Sequence, residues 1–154
     1  EEWDDEFLHY LPYIEEDDFL GVQNYSRSLF GKDGRMAPPE GAELAQMDYE
    51  IYPEALEHVI RKVAEKFKGD LIVTENGLAA ADDTRRVAFI GQALQGVRNC
   101  IEDGLPVKGY CYWSLLDNFE WQKGYSMTFG LIAVDRSTQK RMPKESLSYL
   151  GSWR

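Results

Sequence analysis

The chain has 154 residues, 44% of them apolar and 29% charged, enough for one domain with a core and unlike a disordered or fibrous chain. Its net charge of -10, with no run of Lys or Arg, excludes binding to nucleic acid or to an anionic membrane, since both need clustered cations against phosphate. No apolar run approaches membrane-spanning length, and Glu1 to Glu6 has no basic region followed by an apolar stretch, so a cytoplasmic protein is expected.

Trp3, Phe7, Leu8 and Leu11 recur at helical spacing up to Pro12, which predicts a short amphipathic helix feeding a turn at Glu15 to Asp18. Phe19 to Tyr25 reads as a strand. Ser26 to Asp48, with Gly31, Asp33-Gly34, Pro38-Pro39 and Gly41, reads as a long loop of the kind that carries function. From Pro53 the stripe Leu56, Val59, Ile60, Val63, Ala64 and Phe67 predicts a helix closed by Gly69. Leu71 to Thr74 is apolar without alternation, as in a parallel strand buried on both faces, and Glu75 stands at its end.

Asp83 and Thr84 offer caps for a second helix through Val87, Ile90, Leu94, Val97 and Ile101, ended by Gly104. Val107 to Ser114 is the third strand. A loop rich in aromatic and acidic residues follows, then an extended piece at Leu131 to Val134 and a last helix from near Pro143, against which Trp153 is expected to pack. Cys100 and Cys111 fall in a helix and a strand at no metal-ligand spacing, so two buried thiols are expected, in a reducing compartment. His9 and His58 have no ligand partners nearby in sequence, so no metal or cofactor is expected.

Strand, helix, strand, helix, strand, helix is the order of an α/β architecture with parallel pairing. Periodicity does not distinguish a small open sheet from part of a barrel. In either, chemistry sits where the strands end: at Gln23-Asn24-Tyr25, at Thr74-Glu75-Asn76-Gly77, and from Trp113-Ser114 through Asp117, Asn118, Phe119, Glu120 and Trp121. Taken singly, Glu75 reads as a loop carboxylate, Trp113 and Trp121 as core residues and Tyr25 as a strand-end phenol. Together on one rim they suit a carbohydrate, since tryptophan covers the C–H face of a sugar and carboxylates accept from its hydroxyls.

The run Leu71-Ile72-Val73-Thr74-Glu75-Asn76-Gly77 resembles the nucleophile segment of family-1 glycoside hydrolases. So do its surroundings, in the family's order: Asp18-Phe19-Leu20-Gly21-Val22 before Tyr25, Glu50-Ile51-Tyr52-Pro53-Glu54, Tyr112-Trp113-Ser114-Leu115-Leu116-Asp117-Asn118-Phe119-Glu120-Trp121, Gly124-Tyr125, Phe129-Gly130-Leu131 and Pro143-Lys144. The resemblance covers nearly the whole chain. It implies the C-terminal portion of a (β/α)8 barrel, about strands 6 to 8 with their helices, as one partial domain over residues 1–154. It also implies that Glu75 is the nucleophile of a retaining β-glycosidase and that Tyr25 donates a hydrogen bond to it, which favours the ionised carboxylate. Glu120 matches the family's acceptor for remote sugar hydroxyls, Trp113 and Trp121 its platform and wall, and Phe129 an aromatic edge of that pocket. Glu120-Trp121 implies a non-phosphorylated sugar, because the carboxylate repels a phosphate dianion.

Three departures stand out. Gln23-Asn24-Tyr25 replaces the usual Asn-Tyr-Tyr, so the amide beside the nucleophile is one methylene longer. Tyr49 stands where a tryptophan usually lines the leaving-group side, and Thr128 where an arginine commonly precedes Phe129, removing an ion pair. A retaining enzyme also needs a second carboxyl group about 5 to 5.5 Å from the first. The family's acid/base segment, Asn-Glu-Pro, is absent from this sequence, and a full barrel is roughly three times as long. Three such strands alone would expose apolar surface and unpaired edges. A partner is therefore expected, either the N-terminal part of the same barrel or a second copy. The competing readings are a non-catalytic carbohydrate-binding fragment and a self-assembling half-barrel.

Overall fold

The computed structural model describes residues 8–153. Trp3 and Phe7, half of the first predicted helix, lie outside them. Within them Leu8–Tyr13 is a 3-10 helix that contains Pro12 rather than ending before it. Proline lacks the N–H an α-helical ladder needs, so the segment stays short, with Leu11 alone buried.

Strand β1, Phe19–Gln23, is followed by the small hairpin β2, Phe30–Gly31, and β3, Gly34–Arg35, inside the stretch expected to be loop. Gly34 closes it at φ +106°, a conformation that glycine adopts without strain. Helix α1 is Ala55–Ala64 and strand β4 is Asp70–Asn76, longer than the apolar run because Glu75 and Asn76 stay in the ladder. Helix α2 is Asp83–Glu102; its N-cap is Asp82, one residue before the expected caps, accepting from the Thr84 N–H at 2.9 Å. Gly104, at φ +83°, ends it in a Schellman turn, with Gly104 N–H donating to Ile101 O and Leu105 N–H to Cys100 O.

Strand β5 is Val107–Tyr112, two residues shorter than predicted. Strands β6, Ile132–Val134, and β7, Arg141–Pro143, form an antiparallel hairpin. Pro143 thus belongs to a strand, and helix α3 begins at Glu145 and runs to Ser152.

The main sheet has the order β1-β4-β5, all parallel, with β4 in the middle. One face is covered by α1 and α2. Leu56, Ile60 and Val63 of α1 lose all solvent contact against Leu71, Val73, Phe89, Ala93 and Val97, and each such side chain contributes roughly 1.5–3 kcal/mol on burial. A second cluster, Ile90, Leu94 and Leu131 with Tyr110, Tyr112, Leu147, Leu150 and Trp153, joins α3 to α2. Trp153 packs on Tyr149, as expected, and takes the Arg98 guanidinium on its face. Cys100 is buried in the first cluster, but Cys111 is exposed, against the expectation of two buried thiols. Tyr110 and Tyr112 turn toward the helices, so alternation points Cys111 to the uncovered face of the sheet. Among the described residues no helix is long and apolar enough to cross a membrane.

Candidate active site

The centre of the rim is built by a slip in register. Val22 of β1 pairs with Val73, but Gln23 pairs with Glu75, skipping Thr74. Thr74 turns to β1, where its hydroxyl faces Val22 O and a Cβ on Gly21 would come within 3.0 Å of it. The slip sets Gln23 beside Glu75, and the Asn24 N–H donates to Glu75 O at 3.0 Å.

Both carboxylate oxygens of Glu75 then receive donors. Gln23 Nε2 donates to Oε1 at 3.0 Å and Tyr25 Oη to Oε2 at 2.7 Å. The longer amide of Gln23 therefore reaches the carboxylate. Burial, followed by the hydrogen bond to Glu75, pushes the Tyr25 phenol far above its usual range, so it remains a donor throughout physiological pH.

Asn76 and Gly77 have different work. Asn76 is buried; its Nδ2 donates to Asn24 O at 2.7 Å, its Oδ1 accepts from Tyr110 Oη at 2.8 Å, and its carbonyl accepts from Trp113 N–H at 2.8 Å. It thus ties the ends of β1 and β5 to β4. A Cβ on Gly77 would lie 1.9 Å from Trp113 O, so only glycine lets the end of β5 come this close. The Trp113-Ser114 peptide at that contact is cis.

Beyond Ser114 the chain carries Glu120 and the aromatic residues. Glu120 closes a tight turn, its N–H donating to Gly124 O and its carbonyl accepting from Gly124 N–H, both at 2.8 Å, and its carboxylate accepts from Asn118 Nδ2. The side chains are open: Trp113 is 37% and Trp121 93% exposed. Phe129 is not open, at 4%, and meets the Tyr25 ring edge-on with centroids 6.0 Å apart. Tyr49 is half-buried and its hydroxyl is enclosed; the Ala79 backbone approaches it without forming a well-shaped hydrogen bond. Burial, reinforced by Tyr112 and Glu120, raises that phenol as well.

Two knots hold the loop, and the sequence reading missed both. Asp117 accepts from Gly130 N–H at 2.8 Å and pairs with Lys144 at 3.0 Å, while burial pulls the Lys144 ammonium below its usual range in spite of that partner. Arg86 of α2 has no exposed surface; it donates to Ala80 O and Thr128 O and pairs with Asp83, which also accepts from the Ser146 N–H and hydroxyl. Thr128 N–H and Oγ1 donate to Gln46 Oε1 at 3.0 and 2.8 Å. The position expected to lose an ion pair is thus anchored to Gln46 and, through its carbonyl, to Arg86. The one trace of Arg86 in the sequence is Asp83-x-x-Arg86, an i,i+3 pair in the first turn of a helix.

The glycosyl hydrolase family 1 model matches residues 14–153. The chain belongs to that family. It is 37% identical over 145 residues to β-glucosidase A of Thermotoga maritima, covering 84% of this chain and 32% of that protein. It is 37% identical over 123 residues to a 6-phospho-β-galactosidase of Leptotrichia buccalis, covering 73% of this chain and 26% of that protein. The solved apo structure of β-glucosidase 1317 superposes with a TM-score of 0.84 at 54% identity, over 87% of this chain and 33% of its own. The chain therefore spans about a quarter to a third of the length of these proteins, and its fold is part of a TIM barrel.

Among the described residues no group of three His, Cys, Asp or Glu side chains is placed to hold a metal ion.

Proposed function

We propose that this chain supplies the nucleophile and part of the sugar wall of a retaining β-glycosidase acting on β-glucosides or related β-linked glycosides. The observation that carries the reading is the pair of donors on Glu75, one on each oxygen, in a strand-end position open to a ligand. In the first step a Glu75 oxygen attacks the anomeric carbon, the glycosidic bond breaks, and the departing oxygen takes a proton from an acid outside this chain. In the second, water attacks the same carbon, gives its proton to that group, and releases Glu75. Tyr25 and Gln23 orient the carboxylate and favour its charged form before attack.

Trp113 and Trp121 offer faces for the sugar, and Glu120 accepts from hydroxyls away from the scissile bond. The Phe129 ring backs Tyr25, so its contribution is to the shape of the pocket beneath the nucleophile. Tyr49 borders the leaving-group side. A relative bears the name of a phospho-glycosidase, but the Glu120 carboxylate disfavours a phosphate dianion, and a non-phosphorylated glycoside is the substrate proposed here.

The outer edges of β1 and β5 and the uncovered sheet face favour the N-terminal part of the same barrel as partner, with the isolated chain inactive. A soluble, folded monomer of this chain in size analysis would contradict that. The test of the chemistry is intact-mass spectrometry of the assembled protein after incubation with a 2-deoxy-2-fluoro glucoside bearing a good leaving group. A covalent adduct mapping to Glu75 is expected; a folded sample that stays unlabelled would move the reading to a non-catalytic carbohydrate-binding fragment.

A further inference from the structure

Strand β1 ends at Gln23, the last residue it pairs with β4, yet Tyr25, two residues on, still meets Glu75. The peptide before Asn24 is tied to β4 by the ladder, its N–H donating to Glu75 O at 3.0 Å. The peptide after Asn24, on which Tyr25 begins, is tied to β4 by a side chain instead: Asn76 Nδ2 donates to Asn24 O at 2.7 Å. A parallel ladder carried one step further would bring the Gly77 N–H to that carbonyl, but β4 ends at Asn76 and Gly77 is pressed against Trp113 O. The Asn76 amide therefore stands in for the next ladder donor.

That amide is itself fixed in one orientation. Asn24 O can only accept, so Nδ2 faces it, which leaves Oδ1 for Tyr110 of β5, whose hydroxyl donates to it at 2.8 Å. Burial pushes the Tyr110 phenol far above its usual range, so the hydroxyl keeps its proton. Asn76 is 1% exposed, and both of its side-chain bonds are shielded from solvent. Other contacts hold Tyr25 as well, but their backbone anchors are elsewhere than β4. Its ring meets Phe129 edge-on, the Asn24 side chain donates to Ser26 O within the same turn, and the Ser26 hydroxyl donates to Glu50 O on the loop before α1. The reach from the Tyr25 hydroxyl to Glu75 runs across the β1–β4 seam, and beyond the end of the ladder the backbone is tied across that seam by Asn76.

We infer that the Tyr110–Asn76 relay is a positioning device for Tyr25, setting the reach of its hydroxyl to the Glu75 carboxylate. This rests on the glycosidase reading above, in which that bond orients the nucleophile. Gln23, still inside the ladder, does not depend on the relay. Two consequences separate positioning from support of the fold. A residue that acts through the Tyr25 hydroxyl loses its effect once that hydroxyl is removed, whereas one that supports the fold keeps it. Its loss also falls on kcat more than on KM, because the group it orients is the reacting carboxylate.

The experiment is a double-mutant cycle in the assembled enzyme. Asn76→Leu and Tyr110→Phe are each made in the parent and in Tyr25→Phe, and kcat and KM are measured on an aryl β-glucoside. In the parent, Asn76→Leu is expected to lower kcat about ten-fold and Tyr110→Phe about five-fold, with KM within about two-fold. In the Tyr25→Phe background the same changes should each cost less than about two-fold. Losses that multiply in the double variants, or that fall on kcat and KM alike, overturn the inference, while an adduct on Glu75 of the parent after incubation with a 2-deoxy-2-fluoro glucoside keeps the glycosidase reading. A parent that is folded yet neither labelled nor active overturns both. Should Asn76→Leu fail to fold, Tyr110→Phe, which removes only the far anchor of the amide, decides by the same cycle.

Discussion

Two neighbouring parts of the rim contrast. Around Glu75 the groups are paired within the chain: Gln23 and Tyr25 on the carboxylate, Tyr110 and Asn24 on Asn76, and Trp113 against the only residue small enough to admit it, Gly77. A few residues on, Trp113, Leu115, Phe119, Trp121 and Tyr125 form an apolar surface with little covering it, although the backbone beneath is knotted by Asp117, Thr128 and Arg86. The proposed nucleophile is thus preorganised by local structure, while the proposed sugar wall has a fixed backbone and open faces. A ligand and the rest of a barrel would supply what those faces lack.

The contrast is broken most severely by removing what the first part holds. Glu75→Gln keeps the shape but removes the proposed nucleophile, and its single amide oxygen can accept from only one of the two donors, Gln23 and Tyr25. Turnover by the assembled enzyme should fall by on the order of 10⁴-fold or more, with sugar binding retained in titration calorimetry. Hydrolysis that survives would reassign the role.

Next comes the knot under the open wall. Arg86→Met leaves Asp83 without its cation and takes the charged donor from the Ala80 and Thr128 carbonyls, and should cost about 3–5 kcal/mol in urea denaturation of the assembled protein. Asp83 gives the same knot a pH dependence. Burial alone would raise this carboxyl, but the hydrogen bonds from Ser146 and the Arg86 partner hold it below its usual value. A depressed folded value means that its stabilisation is complete above the unfolded value of about 3.9 and is lost as pH falls through the folded one. Asp83→Asn should accordingly lower stability at neutral pH and flatten its acid dependence below about pH 4.

Smaller effects separate the two donors on Glu75. Tyr25→Phe removes a short bond from a phenol that stays protonated and should lower kcat about ten-fold to a hundred-fold. Gln23→Ala removes a longer bond from a more exposed amide and should lower it no more than about ten-fold. Equal effects would mean that the register slip, not the phenol, orients the carboxylate.

Much of this was legible in the sequence where a residue's place follows from periodicity or strand end. The three parallel strands, both long helices, and the convergence of Tyr25 and Glu75 came from apolar runs and where they stop. The boundaries were less legible, because β1 ends early and β4 runs on through a slip that side-chain bonds fix and alternation does not. The hairpins were legible only in part: the extended piece expected at Leu131 to Val134 is β6, but strands such as Phe30–Gly31 and Arg141–Pro143, two or three residues long, have no pattern to show. Arg86 and Gln46 were missed because a buried charge on a helix and a loop amide shared by two donors look like ordinary surface residues until the loops are folded over them.

The mildest intervention tests the other half of the contrast, the uncovered sheet face. Tyr110 and Tyr112 turn toward the helices, so Cys111 between them faces what becomes the interior when a barrel closes. Cys100 is enclosed, and burial pushes its thiol up to about 11, so at neutral pH it is both covered and protonated. A thiol reagent should therefore modify neither cysteine while the remaining strands are docked, and Cys111 first when mild urea releases them, with peptide mapping locating the label. Cys111→Ser should abolish the label and change stability by no more than about 0.5 kcal/mol. Labelling that persists in an active assembly would mean that the partner completes the site without closing the barrel over β5, and the proposed covering of that face would have to be abandoned.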